Sequence, residues 1–188
     1  MAAAAATPND SAKPATPEAV AAAVVLTDEE RTKLGLAADS IIKNYVIGAV
    51  SVGIVPIPFI DIAGATALQL RMIKKLSDLY KQDFSEEIVR SIIASLGGGF
   101  LGYGVGVMAL SAIKTVPGIG WMMGMMSVPV FLGASTYAIG KVFAKHFDTG
   151  KTIFDLNVEA VKEFHREQLE KGKAIAKAAA GKSTSAAA

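Results

Sequence analysis

From Ser91 to Gly140 the chain carries a single charged residue, Lys114. An uncharged stretch of that length belongs either in a protein interior or in the hydrocarbon of a bilayer. Ser91 through Ile113 supplies 23 uncharged residues, about 35 Å of helix, enough to cross a hydrocarbon core of about 30 Å with some tilt. Lys114 and the turn residues Pro117, Gly118 and Gly120 follow. A return arm from Trp121 to Gly140 then leads to Lys141 and Lys145.

The first half has the same layout on a smaller scale. Thr27 followed by Glu30 is a capping-box signature and predicts a helix starting there. After Lys43 the polar face ends, and Asn44 to Ile60 carries no charge. Pro56 and Pro58 interrupt the helix, because each ring removes a backbone donor and restricts the residue before it. A second apolar arm, Phe59 to Leu70, exits at Arg71, Lys74 and Lys75. These shorter arms predict a re-entrant or barely spanning hairpin. Aligned on Thr66 and Thr136, the pairs Arg71/Lys75 and Lys141/Lys145 fall at equal offsets, as an internal duplication would place them.

The expected fold is an all-α membrane protein with two hydrophobic helical hairpins and cytoplasmic amphipathic helices at both ends. An Ala/Pro-rich tail, 1–26, precedes a helical membrane domain over 27–176 and a second tail over 177–188. Hairpin one occupies 41–76, hairpin two 86–145, and a C-terminal amphipathic helix 152–176. Within the last, Val158, Val161 and Phe164 recur at helical spacing, as in a helix lying on a bundle or a membrane surface. No basic region followed by an apolar core opens the chain, so no cleaved signal is expected. The cations Arg71, Lys74, Lys75, Lys141 and Lys145 stand at the open ends of the hairpins and Lys114 at a tip. The positive-inside rule therefore expects both termini and the middle loop in the cytoplasm.

Chemistry is sparse. With no cysteine, thiolate metal sites and Cys nucleophiles are excluded. The net charge of +2 and the lack of an Arg-rich aromatic stripe argue against nucleic acid. Thr149-Gly150-Lys151-Thr152 resembles the end of a phosphate-binding loop, but Lys145 stands where that motif needs its first Gly. Met122, Met123, Met125 and Met126 read as packing, and His146 and His165 lack metal-ligand spacing. No catalytic constellation and no cofactor are expected. Asp61, just past Pro58, is either a helix cap or a functional acid at membrane depth. Gly98, Gly102 and Gly106 form a small-residue stripe for helix packing, within the hairpin or between chains.

Pro56-Ile57-Pro58-Phe59-Ile60-Asp61, with Gln69, Met72, Tyr80, Pro117-Gly118-Ile119-Gly120, Thr136-Tyr137-Ala138-Ile139-Gly140 and Phe154-Asp155, resembles a bacterial family of unknown function. This is the YcjF-like, GTPase-associated membrane family, and the resemblance covers roughly Arg31 to Lys173. It implies a GTPase partner, supplied as a separate protein because this chain has no GTPase domain. The functional expectation is a non-enzymatic, self-associating inner-membrane scaffold that shapes membrane and offers its basic surface to anionic lipid or to a GTPase. The rivals are a small channel or transporter, with Asp61 lining a path, and a soluble helical bundle that inserts a hydrophobic hairpin on a trigger.

Overall fold

The computed structural model describes residues 27–54, 60–98 and 119–186, with side chains over 27–54, 63–96 and 128–182. All regular structure among the described residues is helical. The elements are α1 (Asp28–Ile54), α2 (Ile60–Leu79), α3 (Glu86–Gly98), α4 (Ile119–Asp148), a short 3₁₀ turn (Ile153–Asp155) and α5 (Val158–Ala186).

Local chemistry sets the helix ends. The capping box at α1 forms: the Thr27 amide donates to Glu30 Oε2 at 2.9 Å, and the Glu30 amide to Thr27 Oγ1 at 3.3 Å. The Thr27 amide and the Thr27 hydroxyl, both donating to it, hold the Glu30 carboxyl below the usual carboxylate range. Helix α2 ends where Lys81 turns left-handed at φ 55°, a conformation that usually selects glycine. The Gln82 amide then donates back to the Ser77 carbonyl at 2.8 Å, closing the last turn. Helix α4 ends through Gly150 at φ 74°. Asn157 Oδ1 accepts the Ala160 amide at 3.2 Å and so caps α5.

Helix α4 is the central element, packed against α1 on one side and α5 on another, with α2 filling the third. Each helix buries one stripe: Ala38, Ile42, Val46, Ala49 and Val50 on α1; Ala65, Met72, Ile73 and Leu76 on α2; Val89, Ile92, Ile93 and Leu96 on α3. The spacings of three, four and seven put these residues on a single helix face. Phe143 and Phe147 of α4 fill the middle of the main cluster, their rings 5.8 Å apart. Each fully buried side chain of this size contributes about 1.5–3 kcal/mol. A smaller cluster, Ala49, Ala65, Val128 and Leu132, joins α1, α2 and α4.

Glycines allow the closest approaches. A Cβ on Gly53 would lie 2.6 Å from Pro129 Cα, and one on Gly172 would lie 2.8 Å from the Ala134 carbonyl oxygen. One on Gly133 would meet Val50 and Ala176. The small-residue packing visible among the described residues is thus within the chain, between α1 and α4 and between α4 and α5.

Three findings refine the sequence expectations. First, among the described residues no helix is long and apolar enough to cross a membrane. On α1 and α2 the apolar stretches give way to charge within the same helix, at Lys43 and Arg71. Second, α5 continues to Ala186, ten residues beyond Ala176 and into the segment expected to be a tail. Ala178, Ala179 and Ala180 have the strongest helix propensity, and the helix is already nucleated by packing upstream. Third, the α4 stretch from Ala134 to Gly140 is core: Ala134 and Ala138 pack on Leu169 of α5. Glu167 and Glu170, paired with Lys171 and Lys173 at 2.6 Å each, belong to that same stretch of α5. Burial in protein therefore accounts for part of the uncharged return arm.

Candidate membrane-facing site

The outer face of α2 changes character along its length. Ala63, Ala67, Leu70 or Arg71, and Lys74 follow one another at spacings of three and four, one stripe running from small apolar residues to cations. Helix α3 and the loop before it supply the opposite wall with Phe84, Glu86 and Arg90, and Tyr45 of α1 closes the upper end. Two adjoining depressions share Leu70, Arg71 and Glu86 and so form a continuous groove. Arg71 sits where the apolar part meets the charged part.

The cations in this groove are not equivalent. Arg90 pairs with Glu86 at 2.7 Å, and Lys74 with Asp78 at 3.0 Å. Lys74 also stands over the Phe84 ring and Lys75 over the Tyr45 ring, at 5.6 and 5.7 Å. Arg71 and Lys75 have no carboxylate in ion-pair reach among the described residues. The groove therefore holds uncompensated positive charge above an apolar floor.

Of the five cations singled out in the sequence, the fold brings Arg71, Lys74 and Lys75 together and sends the two on α4 elsewhere. Lys141 pairs with Asp39 of α1 at 2.5 Å, tying those helices, and Lys145 stands 4.1 Å over the Phe164 ring of α5. Gly98 closes α3, and Gly120 lies in the first turn of α4. Asp61 is the second residue of α2, a position where the helix dipole favours a carboxylate, and its side chain lies outside the described residues. Pro56, Pro58, Gly102, Gly106, Pro117 and Gly118 also lie outside them.

Sequence reasoning missed the partnership of Arg90 and Glu86 with the α2 stripe. Their separation of four residues at the start of α3 signals an ion pair, but not which helix faces it. It also missed the buried polar layer, where Gln69 Nε2 donates to Thr136 Oγ1 at 3.3 Å between α2 and α4. His165, buried on α5, has its pKa lowered by burial to about 4 and is neutral near pH 7. Among the described residues no cluster of three His, Cys, Asp or Glu side chains is placed to hold a metal ion. What the groove offers chemically is anion binding beside an apolar surface.

Residues 21–174 match the family described as a domain of unknown function, DUF697. The chain belongs to the DUF697 family. A relative from Magnetospirillum gryphiswaldense, named magnetosome membrane protein 22, is 54% identical to this DUF697 chain over 142 residues. The alignment covers 75% of this chain and 73% of the relative. No solved structure matches the chain.

Proposed function

We propose that this DUF697 protein is a non-enzymatic membrane anchor and scaffold. In this reading the bundle of α1, α2, α4 and α5 stands at the cytoplasmic surface of a bacterial membrane. The apolar sequence between α3 and α4 and the Pro56–Pro58 turn enter the lipid, and both termini stay in the cytoplasm. The observation that carries it is the division of the uncharged run. The bundle core accounts for Val89–Leu96 of α3 and for α4 from Val128 onward. Residues 99–118, whose only charge is Lys114, are the nearly uncharged sequence that joins α3 to α4. The name of the 54% identical relative supports a membrane location.

Self-association through Gly98, Gly102 and Gly106 is the finer part of the proposal, since such stripes bring helices together in lipid. A separate GTPase, implied by the YcjF-like resemblance, would meet the cytoplasmic end of the bundle. A second reading is favoured by one observation: no described helix is long and apolar enough to cross a membrane. It is a bundle that folds first and inserts its hydrophobic hairpin only on a trigger.

Carbonate extraction separates the two. Membranes from expressing cells, washed at high pH, should retain the protein in the pellet until detergent is added. Quantitative release into the carbonate supernatant would reject stable anchoring and leave triggered insertion.

A further inference from the structure

We propose that the groove along α2 seats one anionic phospholipid, with its phosphate on Arg71 and Lys75 and an acyl chain along Ala63, Ala67 and Leu70. The inference rests on the membrane-anchored reading above and adds the molecule bound at the edge of the bundle.

Charge complementarity selects the occupant. Of the four cations lining the groove, Lys74 and Arg90 are already paired with Asp78 and Glu86, whereas Arg71 and Lys75 have no carboxylate in reach among the described residues. Two uncompensated charges side by side suit one phosphate, and a guanidinium can hold two of its oxygens at once. A phosphate alone would leave the floor below unused. From Ala63 to Lys74 the stripe climbs eleven residues, about 16 Å of helix. Below Arg71 the described α2 lining is Ala63, Thr66, Ala67 and Leu70, with the paired Glu86 and Arg90 of α3 opposite. Orientation agrees with this occupant. The apolar end of the stripe lies next to the start of α2, which Pro56 and Pro58 precede in sequence, and the cations lie toward the α2–α3 loop. A lipid entering from the bilayer would meet the groove tail-first along α2, with its headgroup at Arg71. An acidic peptide would match the cations but would have no reason to follow the apolar stripe toward the start of α2.

The test uses the full chain purified in a neutral detergent, with bound phosphatidylglycerol or phosphatidylcholine counted by native mass spectrometry during titration. The parent should hold one phosphatidylglycerol in clear preference to phosphatidylcholine. Arg71→Gln and Lys75→Gln should each weaken that binding about five-fold, as expected for one basic residue near an anionic headgroup. Lys162→Gln on exposed α5 makes the same change in net charge and should leave it unaltered. Ala67→Trp should fill the floor and weaken phosphatidylglycerol, without changing any affinity for inorganic phosphate. Equal losses in all three charge variants would mean diffuse attraction and overturn the seat. So would full phosphatidylglycerol binding by Ala67→Trp, which would leave a phosphate site without a lipid. Failure of the seat is distinguishable from failure of the anchor: a carbonate-resistant protein that ignores Arg71→Gln and Lys75→Gln loses only this inference.

Discussion

Gly172→Val should destabilise the bundle by about 2–3 kcal/mol and release α5 to protease. A Cβ at that position would lie 2.8 Å from the Ala134 carbonyl oxygen, 3.0 Å from Ala134 Cα and 3.1 Å from Tyr137 Cβ. The first two are backbone atoms, so relief requires α5 to move off α4 rather than a rotamer change. That movement would also lift Ala176 from Gly133 and Leu169 from Ala138. Gly181 lies nine residues along the same helix, and a Cβ there would meet nothing within 4 Å. Gly181→Ala should therefore be neutral or stabilise by up to about 1 kcal/mol, through helix propensity alone. Denaturant titration of both variants in detergent, with limited proteolysis of α5, checks the pair. Equal stability of Gly172→Val and the parent would mean that α5 is not seated on α4.

The second large effect is a loss of stability in mild acid, traceable to His165. Burial depresses its pKa from the ordinary 6.5 to about 4, so the folded chain binds fewer protons than the unfolded one between those values. Above pH 6.5 the ring is neutral in both states and adds no pH dependence, and stability falls progressively as the pH drops toward 4. The full depression corresponds to about 3 kcal/mol, at 1.36 kcal/mol per pH unit. The hydrogen-bonded carboxyls Glu30 and Asp155 have lowered pKa values, so their contribution is present above the ordinary carboxylate pKa values and is lost as the pH falls through and below them. His165→Gln should flatten the unfolding free energy between pH 6.5 and 4, and a profile as steep as the parent's would assign the effect to other groups.

Much of the helical layout was legible from single residues. Thr27 and Glu30 announced the start of α1 because a capping box is a local device, complete within four residues. The charge-free runs marked the apolar segments for an equally local reason. Which of those segments are covered by protein was not legible. Ala134 and Ala138 read the same whether they face lipid or Leu169, and only the fold decides that they face Leu169. Gly172, flanked by Lys171 and Lys173, carries no local sign of what it touches. Its meaning depends on Ala134, 38 residues away in sequence and in contact in space. The groove was half legible. The basic exit of α2 stood out, but Lys141 and Lys145, equivalent to Arg71 and Lys75 by alignment, are occupied by Asp39 and Phe164 in the fold. A periodicity argument places residues on one helix and says nothing about the neighbouring helix that engages them.

The central claim, that a bundle outside the membrane holds an apolar hairpin within it, can be tested by cysteine accessibility. The native chain has no cysteine, so each single substitution reports alone. Cysteines at Gly102, Gly106 and Ala109 between α3 and α4, and at Ser85 and Lys162 on the bundle, would be reconstituted in sealed vesicles. They would then be exposed to a membrane-impermeant maleimide before and after detergent. The account predicts rapid labelling of Ser85→Cys and Lys162→Cys in intact vesicles that carry the bundle outward. It predicts protection of Gly102→Cys, Gly106→Cys and Ala109→Cys until detergent is added. Labelling of the three hairpin positions in intact vesicles at the rate seen for Lys162→Cys would contradict it.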